Sequence, residues 1–200
     1  MNSYILIEGP SSVQGSLAWH KFRRGKISAS MAPTIMNENP FQTRTELWNS
    51  IIFEKDKPQS PAMKRGTEME SKAREWVNKV TGREYKPMVV QSIPYPDIIA
   101  SLDGYYLDEK GKVHILEIKC GKTSHKIALE GQVAPWYHAQ LQHQMNIVGV
   151  DEMLYASYDD EDGGVILPCE KSEEYCARLL TEELNFFTSI INFRAPEPGT

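Results

Sequence analysis

Three residues in the middle of the chain have the types and spacing for hydrolytic chemistry: Asp103, Glu117 and Lys119. Glu117 and Lys119 belong to the run Leu116-Glu117-Ile118-Lys119-Cys120, which reads as a strand. Alternation puts their side chains on one face, about 7 Å apart at a rise of roughly 3.3 Å per residue, with Leu116, Ile118 and Cys120 on the other. Asp103, in Ser101-Leu102-Asp103-Gly104, lies across an expected hairpin and can point at the same spot. Two carboxylates converging on one point repel each other and call for a cation between them. An all-oxygen donor set suits Mg²⁺ or Mn²⁺ better than zinc. A lysine beside such an ion can orient an attacking water and offset charge building on a phosphate. The competing reading is an exposed strand face with an ordinary Glu–Lys ion pair. Against it, charge inside an apolar strand has a cost unless something uses it.

These residues need a sheet to hold them. Short runs rich in β-branched and apolar residues cover Met88–Ile93, Ile99–Leu107 and Val113–Cys120. Before them, helices are expected from Ser16 to about Arg24, from Ser28 or Ser30 to about Asn37, from Thr43 to Lys55, and from Pro61 to Val80 with Thr81-Gly82 as the stop. After them come a helix over Pro135–Val148, strands at Met153–Tyr158 and Val165–Pro168, and an amphipathic helix from Ser172 to Phe193. This order predicts an α/β fold, a central mixed sheet flanked by helices. Two hundred residues without a linker fit a single domain, 1–200, with a helical part over about 1–60 packed on the core.

Composition sets bounds rather than a function. The net charge of −5 does not advertise a nucleic-acid binder, but phosphate binding depends on where basic residues sit. The densest basic run is Lys21-Phe22-Arg23-Arg24-Gly25-Lys26, which also reads as a solvated helix end. Cys120, Cys169 and Cys176 lack C-x-x-C spacing, which argues against a disulfide framework, a structural zinc or an iron–sulfur cluster. No apolar stretch suits a signal peptide or membrane span, so a soluble cytoplasmic protein is expected.

The helix after Pro61 adds a third carboxylate. Its apolar stripe is Met69, Ala73, Trp76, Val77 and Val80, and Glu68 and Glu75 face away from it. Glu70 borders the stripe and could join Asp103 and Glu117, or turn to solvent as a boundary glutamate. His138 and His143 are five apart, share no helical face well, and are not read as ligands. His114 and His125 flank the third strand and could approach phosphate, but read first as surface residues. Glu173 and Glu174 suit a helix N-terminus. Tyr175, Leu179, Leu180, Leu184, Phe187 and Ile191 read as its packing stripe or a subunit contact.

Five motifs in order resemble the phage lambda exonuclease, or YqaJ-type viral recombinase, branch of the PD-(D/E)XK nucleases. They are Trp19-His20-Lys21-x-Arg23-x-Gly25-x-Ile27-x-Ala29-Ser30, Arg65-Gly66-x3-Glu70, Ser101-x-Asp103-Gly104, Glu117-x-Lys119-Cys120 and Ala139-Gln140-Leu141-Gln142. Leu102 departs from the family, which often has proline there. The resemblance implies a restriction-endonuclease-like core in which Asp103, Glu117 and the Ile118 carbonyl bind two Mg²⁺ ions (Mn²⁺ substituting), with Glu70 as accessory ligand. It implies that Lys119 positions the nucleophilic water and that Gln142 orients water or the scissile phosphate. Arg23, Ser30 and Ser101 would form a pocket for a 5′-terminal phosphate, a fit for the forked donors of a guanidinium. Trp19 would assist strand separation by stacking, with a core tryptophan as the competing reading.

The activity implied is 5′→3′ digestion of one strand of linear double-stranded DNA, leaving a 3′ overhang for recombination by strand annealing. A ring-shaped homotrimer and a single-strand annealing protein partner, phage or prophage encoded, are implied with it. The rivals are a structure-specific or restriction-type endonuclease on the same core and an inactive DNA-binding module. A Cas4-like exonuclease would need a fourth cysteine.

Overall fold

The computed structural model describes residues 3–54 and 61–196, with side chains described from Lys64 onward in the second span. Its strands are β1 (Tyr4–Ile7), β2 (Ile27–Ser28), β3 (Lys86–Ser92), β4 (Ile98–Leu107), β5 (Val113–Lys119), β6 (Glu152–Asp159) and β7 (Gly163–Glu170). Its α-helices are α1 (Leu17–Arg23), α2 (Ala32–Ile35), α3 (Arg44–Ile52), α4 (Pro61–Thr81), α5 (Lys122–Leu129), α6 (His138–Val148) and α7 (Glu173–Ile191). Six strands run β1-β3-β4-β5-β6-β7 across one sheet, and β2 pairs with β4 off that path. The β5–β6 and β2–β4 pairs are parallel and the rest antiparallel, so the sheet is mixed.

Local chemistry explains most boundaries. Ser16 caps α1 by accepting the Trp19 N–H, and Thr43 with Glu46 forms a reciprocal capping box on α3. Ser172 caps α7, with Glu173 and Glu174 in its first turn where the helix dipole favours negative charge. The helix expected after Ser28 breaks into a 3₁₀ turn, Ala29–Met31, and the short α2. The expected end of α3 at Lys55 lies outside the described residues. Three elements carried no clear sequence signal: β1, four residues long, β2, two residues long, and α5, directly behind the Glu-x-Lys strand.

Each sheet face has its own core. On one, Met69, Ala73 and Val77 of α4 pack on Leu116, Ile118 and Cys120 of β5 and on Ala156 and Tyr158 of β6. On the other, Leu141 and Met145 of α6 and Phe186 and Ile190 of α7 pack on Ala100, Leu102, Ile115 and Tyr155, together with Ile27, Ile35, Leu47 and Trp48 of the N-terminal segment. Val80, read as part of the α4 stripe, is exposed near the end of the helix. Of the stripe expected on α7, Leu179 is buried and Tyr175, Leu180, Leu184 and Phe187 pack against the core, but the buried face centres on Cys176, Leu179, Glu183, Phe186 and Ile190, and Ile191 is exposed. Glu183, read past because it is charged, belongs to that face and is paired inside the core with His143.

Among the described residues, no helix is long and apolar enough to cross a membrane. The three cysteines are free, with Cys120 and Cys176 buried.

Candidate active site

The site forms where β4 and β5 part company. Their ladder pairs Gly104 with Leu116 and continues through Leu107 with Val113. Against β3, two steps from Lys86 to Met88 correspond to three from Leu102 to Tyr105, so β4 carries an extra residue at Asp103–Gly104. A bulge of this kind re-aims a side chain and reverses the alternation beyond it. Gly104 is required there, because a Cβ would lie 2.9 Å from the Cβ atoms of Leu116 and Tyr85. Asp103 therefore stands in mid-strand at a bulge, where the sequence predicts a regular hairpin arm. Its carboxylate turns toward β5 and accepts the Ile118 N–H at 2.8 Å.

Glu117 is buried on the opposite side of β5 from Leu116 and Ile118, facing α6. Three donors converge on its carboxylate. Lys119 Nζ and Gln140 Nε2 reach Oε1 at 2.5 and 2.6 Å, and Gln144 Nε2 reaches Oε2 at 2.6 Å. The same Nζ lies 4.8 Å from the centre of the Tyr137 ring. From α4, Arg74 donates to the Asp103 carbonyl at 2.5 Å and is paired with the Glu70 carboxylate.

The electrostatics fit a cluster that wants a cation. Burial, then the charges of Glu117 and Glu70, push the Asp103 carboxyl well above the usual carboxylate range. Glu70 is raised for the same reasons, burial and the proximity of Glu117, against the opposing pull of Arg74. Burial would lower Lys119, yet Glu117 and Asp103 outweigh it and hold the ammonium charged.

The oxygen donors of Asp103, Glu117, Glu70 and the Ile118 carbonyl suit Mg²⁺ or Mn²⁺. Their present arrangement is not closed around one point. Among the described residues, no three His, Cys, Asp or Glu side chains are grouped to hold an ion. Glu70 is engaged by Arg74, and Glu117 by its three donors.

Nine of the ten residues singled out in the sequence line one cavity of about 430 Å³: Trp19, Arg23, Ser30, Glu70, Ser101, Asp103, Glu117, Ile118 and Lys119. Arg23 donates to Ser28 Oγ at 2.8 Å and to Ser30 Oγ at 3.3 Å, and its guanidinium lies 4.1 Å from the centre of the Trp19 ring. Trp19 Nε1 donates to Ser101 Oγ at 3.1 Å. Burial pushes the Arg23 guanidinium down to about 10, which leaves it charged at neutral pH. Trp19 is neither a core residue nor a free stacking surface, since it is half-buried under Arg23. A larger cleft of about 910 Å³, between Tyr4, Lys112 and Val150, lies apart from this chemistry and gathers none of these residues.

Gln142 is the exception. It is buried, donates to the Glu170 carbonyl at 2.8 Å and accepts the Ser172 N–H at 2.8 Å, so it ties β7 and α7 to α6 instead of facing the carboxylates. Gln140 and Gln144 are the glutamines of this helix that face the carboxylates, both donating to Glu117. They are four apart, one face of a helix, whereas Gln142 is rotated away from both. Arg74, Ser28 and Tyr137 were also missed. Arg74 follows Glu70 by four residues, a spacing that does signal an i,i+4 pair.

Among the histidines, His125 is corrected from the surface to the interior, where Nδ1 lies 3.0 Å from Ser157 Oγ. His143 is buried against Glu183, and His138 packs edge-on against Tyr175, so neither reaches the cavity.

The profile of the YqaJ-like viral recombinase domain matches residues 18–151, which spans every residue of the cluster. The chain belongs to that family. Among solved structures, the alkaline exonuclease LHK-Exo from Laribacter hongkongensis is 25% identical, with 88% of this chain and 92% of that one covered and a TM-score of 0.76. The same protein in complex with dAMP gives 0.77 at the same identity and coverage. A phage-related exonuclease from Haemophilus somnus 129PT, 13% identical over 84% of this chain and 96% of that one, matches with a TM-score of 0.59 and shows the shared fold. No curated protein matches the sequence. The sheet and its flanking helices are thus the PD-(D/E)XK-type core of this family, and the bulge at Asp103 lies within it.

Proposed function

We propose that the chain is a divalent-metal-dependent 5′→3′ exonuclease on linear double-stranded DNA, acting as a single nuclease domain. The observation that carries this reading is one cavity holding both an acidic centre with a lysine and, beside it, a guanidinium with three serine hydroxyls. The first has the composition of a phosphodiester-hydrolysing centre, and the second that of a receptor for a terminal phosphate. Family membership and the likeness to alkaline exonucleases support a phage-type exonuclease.

Asp103, Glu117 and the Ile118 carbonyl would hold Mg²⁺, with Glu70 as a further ligand; two such ions, when bound, supply Lewis-acid stabilisation of the attacking and leaving oxygens. The protein's own groups do the rest. Lys119, held charged beside Glu117, would hold the nucleophilic water. Gln140 and Gln144 fix the Glu117 carboxylate. Arg23, Ser28, Ser30 and Ser101 hold the 5′-phosphate so that the first phosphodiester lies over the carboxylates. Digestion of one strand leaves a 3′ overhang, the substrate for a single-strand annealing partner. A ring-shaped homotrimer, cytoplasmic location in a bacterial host and a phage or prophage origin complete this reading, on the strength of the family alone.

The test is digestion in Mg²⁺ of linear duplexes with and without 5′-phosphates, beside a closed circular plasmid. Digestion of linear DNA that depends on a 5′-phosphate, with the circle left intact and Lys119→Ala inactive, is the expected result. Cutting of the circle would overturn the exonuclease assignment, and an active Lys119→Ala would overturn the lysine's role.

A further inference from the structure

Beyond the carboxylates, a line of aromatic rings leads out of the cavity to the surface. Tyr137, whose ring lies 4.8 Å from Lys119 Nζ, is followed by Trp136 at a centroid distance of 6.0 Å and then by Phe41 at 5.9 Å. Trp136 is half-buried and Phe41 is 72% exposed. Phe41 is not on a frayed loop. Its N–H donates to Asn39 Oδ1 at 2.9 Å, Asn39 in turn donates to Thr34 of the buried α2 at 2.8 Å, and Thr43 opens α3 just beyond. Phe41 therefore differs from a singly scattered surface hydrophobe: it is the outer end of an aromatic row that begins at the cavity.

We propose that Phe41 and Trp136 form a stacking platform for unpaired nucleobases of the DNA strand at the active site, an inference that rests on the nuclease reading above. The two rings meet at an interplanar angle of 79°, an edge-to-face corner whose Phe41 side is 72% exposed. A flat π-system fits such a corner, and stacking on aromatic side chains accepts any base because every base has a π-face. The row is continuous with the catalytic cavity through Tyr137, which lines it. A strand whose phosphate lies at Lys119 therefore has its neighbouring bases within reach of the row. The platform would hold a base that has left the duplex, favouring separation of the strand end and lowering its return.

Binding in EDTA tests this without any hydrolysis. A fluorescently labelled single-stranded 16-mer and the same 16-mer with abasic sites at its central positions are titrated with wild type, Phe41→Ala and Phe41→Trp, by anisotropy. The expected result is a loss of about tenfold in affinity for the base-containing strand in Phe41→Ala. Phe41→Trp should retain affinity, and all three proteins should bind the abasic strand equally. An unchanged Phe41→Ala affinity, an equal loss on both strands, or no binding of the 16-mer by wild type would overturn the proposal. So would a smaller assembly for Phe41→Ala than for wild type in light scattering, which would make the patch a contact between copies. Because no metal is present, an inactive wild type that still shows the Phe41 effect would remove the nuclease reading and leave the platform. An active enzyme lacking the effect would do the reverse.

Discussion

The Asp103 carboxylate accepts the backbone N–H of Ile118 at 2.8 Å, a hydrogen bond that joins the bulged strand to the strand carrying Glu117 and Lys119. It sets where the first carboxylate stands relative to the second, and it exists because β4 and β5 stop pairing at Gly104 and Leu116. Gly104→Ala would press a methyl into Leu116 and Tyr85, both backbone-anchored Cβ atoms at 2.9 Å. Overpacking of this kind costs about 1–3 kcal/mol. The strand would also shift next to Asp103, so digestion should fall more than stability alone explains. Urea denaturation with parallel rate measurements checks both; a variant of wild-type stability would show that the bulge is not under this constraint.

The three glutamines of α6 should behave differently when truncated. Gln140→Ala or Gln144→Ala removes a donor from the Glu117 carboxylate, and loss of such a supporting contact at a metal site typically lowers metal affinity or activity about 10–100-fold. The loss should appear as a higher Mg²⁺ concentration needed for half-maximal rate. Gln142→Ala instead leaves the Glu170 carbonyl and the Ser172 N–H without their partner, at about 1–3 kcal/mol of stability, with a near-normal Mg²⁺ requirement. A Gln142→Ala protein that is stable but starved of metal would return the role to Gln142.

These glutamines also mark where the sequence stops being readable. The Glu-x-Lys strand, its apolar reverse face and the helices capped by Ser16, Thr43 and Ser172 follow from period and residue type, and the structure bears them out, whereas the helix expected after Ser28 does not form as one piece. The bulge does not, since an inserted residue leaves no mark in an alternation that is already short, and a regular hairpin is the simpler expectation. On α6 every residue from Ala139 to Met145 is buried, polar ones included, so the usual contrast between wet and dry faces is missing and cannot select a glutamine. Glu183 failed to register for the matching reason: its partner His143 lies forty positions away, and a charged residue within an amphipathic helix reads as solvated until that partner is found.

Arg23 should control the choice of end. Its guanidinium is braced by the Trp19 ring and by Ser28 and Ser30, which leaves it charged and oriented toward the cavity. A hydrogen bond to a charged group is worth about 1.5–3 kcal/mol, so Arg23→Ala should lower kcat/KM on 5′-phosphorylated duplexes about 10–100-fold. On 5′-hydroxyl duplexes the change should be small. Arg23→Lys keeps the charge but loses the fork and should recover only part of the preference. Equal losses on both kinds of end would mean that Arg23 supports the fold of the cavity and does not read the phosphate.

The buried His143–Glu183 pair predicts a pH dependence of stability. His143 Nε2 lies 2.9 Å from the Ile99 carbonyl, which can only accept, so Nε2 carries a proton; Nδ1 lies 2.5 Å from a Glu183 carboxylate oxygen and needs a second proton to donate. Burial alone would lower the imidazole, but the Glu183 charge and these hydrogen bonds outweigh it and raise it above its ordinary value of about 6.5. A group raised on folding stabilises fully below its unfolded value, and that contribution fades as pH rises through the folded one. Glu183→Gln should therefore cost about 1–3 kcal/mol near pH 6, where the wild type has its charged pair. The gap should narrow toward pH 9, where the neutral ring faces a carboxylate in the wild type but can accept from an amide in the variant. Urea midpoints of both proteins across that range measure it. A gap that stays constant with pH would show that the pair does not titrate there.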